Sequence, residues 1–235
     1  MRPVERGLPF LIAAALGCGG HPTAPSPAPL QIHFTLNAAD DRGARVLHDS
    51  YLPNTPPGFL TGGLVNHLAA DDFTPMVTTA IRTIAWQGGY CGGTPFGAVA
   101  PPPTANSRAF VVSFYADRNG MPQPFGGTEL YQMRLTPAEA HEQFTFDSGA
   151  TANGCGSQTP NATYYQYSAD LATPFSVTAG TRYWVLVQAD IPGNVGIAWG
   201  WRAGTHDNNY SVVSGPQGLP LLTSTIDLAF SLSDR

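Results

Sequence analysis

From Thr78 to the C-terminus the chain runs in short stretches of β-prone residues, and nearly every stretch stops at Gly, Pro, Asn or Asp. That rhythm constrains the fold more than any other feature, because short strands at regular spacing build sandwiches and barrels. The clearest stretch is SRAFVVSFYAD at 107–117. Phe110, Val112 and Phe114 alternate there with Val111, Ser113 and Tyr115, which puts the two sets on opposite faces of a strand. The RNG that follows at 118–120 is turn chemistry. Further strands are expected at 31–36, 78–86, 129–135, 163–171, 175–178, 182–190, 195–201, 210–214 and 223–233. Ala179-Gly180 makes a tight link between two of them. Thr136-Pro137-Ala138-Glu139 carries the cap, first-turn proline and return carboxylate of a helix start, good for one or two turns.

Gly (26) and Pro (22) make up about a fifth of the 235 residues, against roughly 12% in average usage. The expected fold is therefore all-β: an antiparallel β-sandwich, jelly-roll-like, with at most one short helix and with the last strand near the first. A domain of this size buries a sizeable core without help from metals.

The N-terminus reads differently. Arg2 and Arg6 precede an apolar run from Leu8 to Gly17, too short for the ~20 residues a bilayer span needs. Small residues then lead into Cys18. The pattern resembles a bacterial lipoprotein signal, in which the cysteine is lipidated and becomes the new N-terminus; ordinary cleavage nearby would leave Cys18 unmodified. Residues 19–30, GGHPTAPSPAPL, form a stiff Pro-rich tether able to hold a domain roughly 35 Å from a membrane. The organisation expected is a signal at 1–18, a tether at 19–30, an arm or first strand at 31–62 and the sandwich at 63–235. The location implied is the bacterial cell envelope, after export, on a lipid anchor.

Cys91 and Cys155 both sit in Gly-rich sequence, GGYCGG and ANGCGS. In an oxidising compartment they are expected to form a disulfide, contributing about 4 kcal/mol in the chain-entropy account; two free thiols are the alternative. The chain has no Lys and a net charge of −5. Without a basic cluster, nucleic acid is excluded as a partner.

The order of motifs from Ala70 onward carries a family resemblance. ADDF (70–73), IAWQGGY (84–90), FVVSFYADRNGMP (110–122), YYQYSADL (164–171), AGTRYWVLVQAD (179–190), WGW (199–201) and DLAF (227–230) follow one another. The sequence resembles an uncharacterised β-sandwich domain of secreted and surface-anchored bacterial proteins. The resemblance spans about 165 residues. It implies export and a non-catalytic accessory role, and it supplies no catalytic residues.

Two constellations are candidate sites. Trp199 and Trp201 share one strand face. If exposed they would form a platform for stacking sugar rings, with His206 and Asn208 in the following loop to hold hydroxyls; packing in the core is the alternative for both indoles. Asp71, Asp72 and Asp227 stand at the two ends of the domain, which a jelly roll brings close. Together with the loop at 207–209 they could hold a structural calcium, which takes six to eight oxygens; capping of turns is the alternative. No other cofactor is indicated. His33, His48, His67, His141 and His206 show no metalloprotease spacing, and no nucleophile elbow is present. The leading functional expectation is a non-catalytic binding module, for carbohydrate first. A protein-binding adhesion or structural envelope subunit is the alternative, and a hydrolase of envelope polymers a more distant one.

Overall fold

In a computed structural model the structure describes residues 34–35, 47–49, 51–54, 68–92, 109–122, 129–147, 162–192, 197–204, 208, 210–214 and 221–235. Fourteen strands are found among them: β1 (Phe34–Thr35), β2 (Leu47–Asp49), β3 (Tyr51–Asn54), β4 (Ala69–Phe73), β5 (Thr79–Gly92), β6 (Ala109–Ala116), β7 (Glu129–Leu135), β8 (Gln143–Asp147), β9 (Ala162–Val177), β10 (Tyr183–Pro192), β11 (Ile197–Arg202), β12 (Ser211–Ser214), β13 (Leu221–Ser224) and β14 (Phe230–Ser233). No helix occurs among the described residues, and so none there is long and apolar enough to cross a membrane.

Two sheets form a sandwich. The first is organised by β5, whose 14 residues pair with β9 along one edge and with β14 and then β11 along the other. β8 extends it beyond β9, and β1 and β2 extend it beyond β14 and β11. The second sheet runs β13-β12-β4-β10-β6-β7, with β3 beside the far end of β10. Among the described strands every pairing is antiparallel except that of β3 with β10. The first strand does pair with the last, Phe34 opposite Leu232, which is the closure expected of a jelly-roll-like chain.

The core lies between the sheets, and alternation explains who faces it. Phe110, Val112 and Phe114 of β6 point inward, as do Tyr183, Val185, Val187 and Ala189 of β10. Across the gap, Phe110 meets Trp86 and Trp199 edge-on at 5.9 and 5.7 Å, and Phe114 stacks on Phe175 at 4.6 Å. Such aromatic pairs add to the area they bury. Outward-facing Trp184, Leu186 and Tyr115 join Leu68, Ala70 and Val212 in a second buried cluster.

Local sequence accounts for the joints. Arg118 and Met121 exchange backbone hydrogen bonds across Asn119 and Gly120. Both central residues have positive φ, 57° and 80°, so this is the turn that Asn-Gly favours. Gly180, at φ 71°, closes the link from β9 to β10. The expected helix start at Thr136 forms its capping box: Thr136 N and Oγ1 donate to Glu139 Oε2 at 2.7 and 2.8 Å, and Glu139 N donates back to Thr136 Oγ1 at 3.3 Å. The box closes a single turn at 137–141 rather than a helix. His141, at φ 42°, turns the chain out toward β8.

Candidate functional site

Trp199 and Trp201 lie on β11 with both side chains turned into the core, each 0% exposed. The platform for sugar rings is thereby corrected: no indole face is open to a ligand. Two glycines beside these indoles serve close approach. A Cβ at Gly204 would stand 2.7 Å from the Leu228 carbonyl oxygen, and Gly204 N donates to Asp227 O at 2.7 Å. A Cβ at Gly88 would stand 2.2 Å from the Trp199 ring, so the bare backbone of Gly88 makes room for that indole. Both indole N–H groups have partners, Trp199 on Tyr167 Oη at 3.1 Å and Trp201 on the Ala229 carbonyl at 2.9 Å. Buried indoles normally find such acceptors. Tyr167 in turn joins Tyr90, which donates to Glu142 Oε2 at 2.9 Å. Complete burial pushes the Tyr167 phenol well above its ordinary range, with Tyr90 and Glu142 adding to the effect.

The acidic end does assemble. β4 carries Asp71 and Asp72, and the segment before β14 carries Asp227; all three are buried. Asp71 accepts from Asp72 N at 2.8 Å and from Leu228 N at 2.5 Å. Asp72 accepts from Asn208 Nδ2 at 2.9 Å and faces Arg182 Nε at 3.3 Å. Asp227 Oδ1 accepts from Tyr210 N at 2.9 Å. Burial raises Asp71 well above the usual carboxylate range; the Leu228 N–H opposes this, and Asp227 and Asp72 reinforce it. Asp72 is raised by burial too, against the pull of Asn208 and Arg182. The carboxylate oxygens therefore face N–H donors, whereas calcium needs six to eight oxygens turned on one point. Among the described residues no group of three or more His, Cys, Asp or Glu is set to hold a metal ion, and residues 207 and 209 of the neighbouring loop lie outside the described residues. What the three carboxylates do is tie β4 to the segments leading into β12 and β14.

Asn208 is exposed and belongs to this end, accepting from Tyr210 N at 2.9 Å while it donates to Asp72. His206, Cys18 and Cys155 lie outside the described residues, and so does the Cys91 side chain.

A third region went unmarked by sequence reasoning. Along one side of the sandwich, β7 of the second sheet faces β9 of the first across an open groove of about 570 Å³. Met133, Leu135, Ala138 and Ala172 give it apolar lining; Arg134, Glu139, His141 and Asp170 give it charge. The 137–141 turn closes one end and is fastened to β9 by Ser168 N donating to Ala140 O at 3.0 Å. Glu139, Asp170 and His141 are exposed. Thr136 holds the Glu139 carboxyl below its usual range, and Arg134 is ion-paired with Asp190. The groove is thus acidic at its rim. The signal that could have found it was the strand at 129–135 running straight into a capping box, which bends the chain from one sheet to the other.

No curated protein matches the sequence significantly. Among solved structures, the cysteine protease and lectin-like domains of Cwp84, a surface layer associated protein of Clostridium difficile, are similar at 11% identity and a TM-score of 0.35. That match covers 71% of this chain and 32% of the other. A model of a domain of unknown function, DUF7901, matches residues 42–233, a span that takes in the motif series from Ala70 to Phe230 and strands of both sheets, and the chain belongs to that family.

Proposed function

We propose that this protein is a non-catalytic binding module of the cell envelope, exported and tethered by a lipid on Cys18. The Leu8–Gly17 apolar run, the small residues before Cys18 and the Pro-rich segment after it support the tether. The observation that carries the binding role is the groove between β7 and β9, where exposed charged side chains stand beside an apolar floor of the buried Met133 and Leu135 and the exposed Ala138 and Ala172. The indoles and the acidic end are occupied by the fold itself, so ligand recognition is assigned to that side. This moves the reading from carbohydrate at Trp199 and Trp201 toward a protein partner.

The tether is tested on the full chain expressed in a bacterium fed radiolabelled palmitate. The wild-type protein is expected to take up label and to enter the detergent phase. Cys18→Ser is expected to lose both properties. Label retained by the variant, or a wild type that takes none, would sink the lipid anchor.

A further inference from the structure

The two sheets end on the groove side with edges that are treated differently. Beyond β8, β9 is bulged against β5. Arg82 of β5 stands opposite residues 171–174 of β9, since Ile81 pairs with Phe175 and Thr83 with Asp170. That wide bulge contains Pro174, which has no N–H to offer. Bulges and prolines are how exposed edges are kept from pairing with other chains.

The β7 edge lacks that protection over most of its length. β7 is the last strand of its sheet and pairs only with β6 among the described strands. Its one irregularity is at its start, where Phe114 pairs with Tyr131 and Tyr115 with Glu129, leaving Leu130 unpaired and 49% exposed. From Tyr131 to Leu135 the strand is regular, and it contains no proline. Met133 and Leu135 line the groove beside it.

We infer that the β7 edge and its groove take up an extended, basic segment of a partner protein as an added strand. This deepens the binding-module reading and rests on it. Main-chain hydrogen bonds to residues 131–135 supply affinity, and every second side chain of the guest falls toward Met133, Leu135, Ala138 and Ala172. Charge selects the guest. Glu139 and Asp170 stand exposed at the rim, and Arg134 is neutralised by Asp190. Arg or Lys side chains flanking the apolar ones complement that rim. A second copy of this chain is a poor guest, because it carries a net charge of −5 and no Lys.

The probe is a blocked heptapeptide of alternating Val and Arg, titrated into the full chain in detergent micelles. Its comparators are the Val/Glu peptide and the Val/Arg peptide N-methylated at alternate residues. The basic peptide is expected to bind and to slow hydrogen exchange at residues 131–135. The acidic and N-methylated peptides are expected to bind about tenfold more weakly or worse, a difference of ~1.4 kcal/mol. Asp170→Arg is expected to reverse the preference for charge. Equal binding of all three peptides, no binding, or binding without protection at 131–135 would overturn the inference. Protection of 131–135 without peptide, together with a dimeric mass, would overturn it in favour of a second copy. Because the micelle assay does not depend on lipid at Cys18, failure here and failure of the tether are told apart.

Discussion

At the end of the sandwich Asp71, Asp72 and Asp227 are buried and turned onto N–H donors; along the side Glu139, His141 and Asp170 stand in the open around a groove. The same residue type does opposite work in the two places. At the end, Asp71 and Asp227 accept from backbone N–H groups and Asp72 from the Asn208 side-chain amide, since buried N–H groups must be paired. At the side, Glu139 completes the capping box of the 137–141 turn, whereas Asp170 stands exposed at the rim and remains available to a ligand. Residues that look most functional in the sequence belong to the first kind. A carboxylate that holds the fold should cost stability when removed, and one that serves a ligand should not.

The largest expected effect is at the buried aromatic face. Trp201→Ala removes an indole that is wholly buried, packs edge-on against Phe230 at 6.0 Å and donates to the Ala229 carbonyl. The loss should be about 3–5 kcal/mol, measured by urea unfolding of the full chain. A variant with unchanged stability would mean that the indole is not core, and would restore a ligand-facing role for this strand.

Asp71→Ala comes next. It leaves the Asp72 and Leu228 N–H groups buried without their acceptor, at about 1–3 kcal/mol each. The pH dependence sharpens the comparison further. Burial raises Asp71 and Asp72 in the folded state, so the folded protein binds protons that the unfolded chain has released. The stability linked to those protons is complete below the unfolded value near ~3.9 and is lost as pH rises through the raised folded values. The gap in Tm between wild type and Asp71→Ala should therefore widen as the pH is lowered from 7 toward about 4.5. A gap that narrows would show that these carboxylates are stabilised as anions, as ligands to a cation would be.

Much of the fold was legible because it rests on local chemistry. The alternation at 107–117, the Asn-Gly turn and the capping box at Thr136 each specify their own backbone, and β6, the 118–121 turn and the 137–141 turn follow. What was missed depends on distant partners. The strand expected at 223–233 is interrupted because Leu228 bridges to Ala203, splitting it into β13 and β14. The strands expected at 163–171 and 175–178 are one, since the bulge opposite Arg82 carries β9 past Pro174. β2, β3, β4 and β8 have weak patterns of their own and are fixed by the strands beside them. At the end of the sandwich, the gathering of Asp71, Asp72 and Asp227 was legible from the topology expected of the ends. Their role was not, because it depends on which N–H groups lie opposite. The WGW motif was ambiguous for the same reason: alternation puts both indoles on one face, and only the second sheet decides that this face is inside.

The smallest stability effect is expected at Asp170, and it carries the comparison to its other side. Asp170 is exposed at the groove and shows no ion pair among the described residues. Asp170→Asn keeps the shape of the side chain and removes its charge. Substitutions at such surface positions stay within about ±0.5 kcal/mol, so the unfolding midpoint in urea should not move measurably. Affinity for the Val/Arg peptide should nevertheless fall, and the fall should shrink as salt screens the rim, because exposed charges attract only within a Debye length of ~10 Å at 0.1 M salt. A fall in stability comparable to that of Asp71→Ala would make Asp170 another structural carboxylate and erase the distinction between the two regions. Stability unchanged together with affinity unchanged would leave the distinction standing and would move the guest's basic residues toward Glu139, where Glu139→Gln can be read only after allowing for the capping box that its carboxylate also completes.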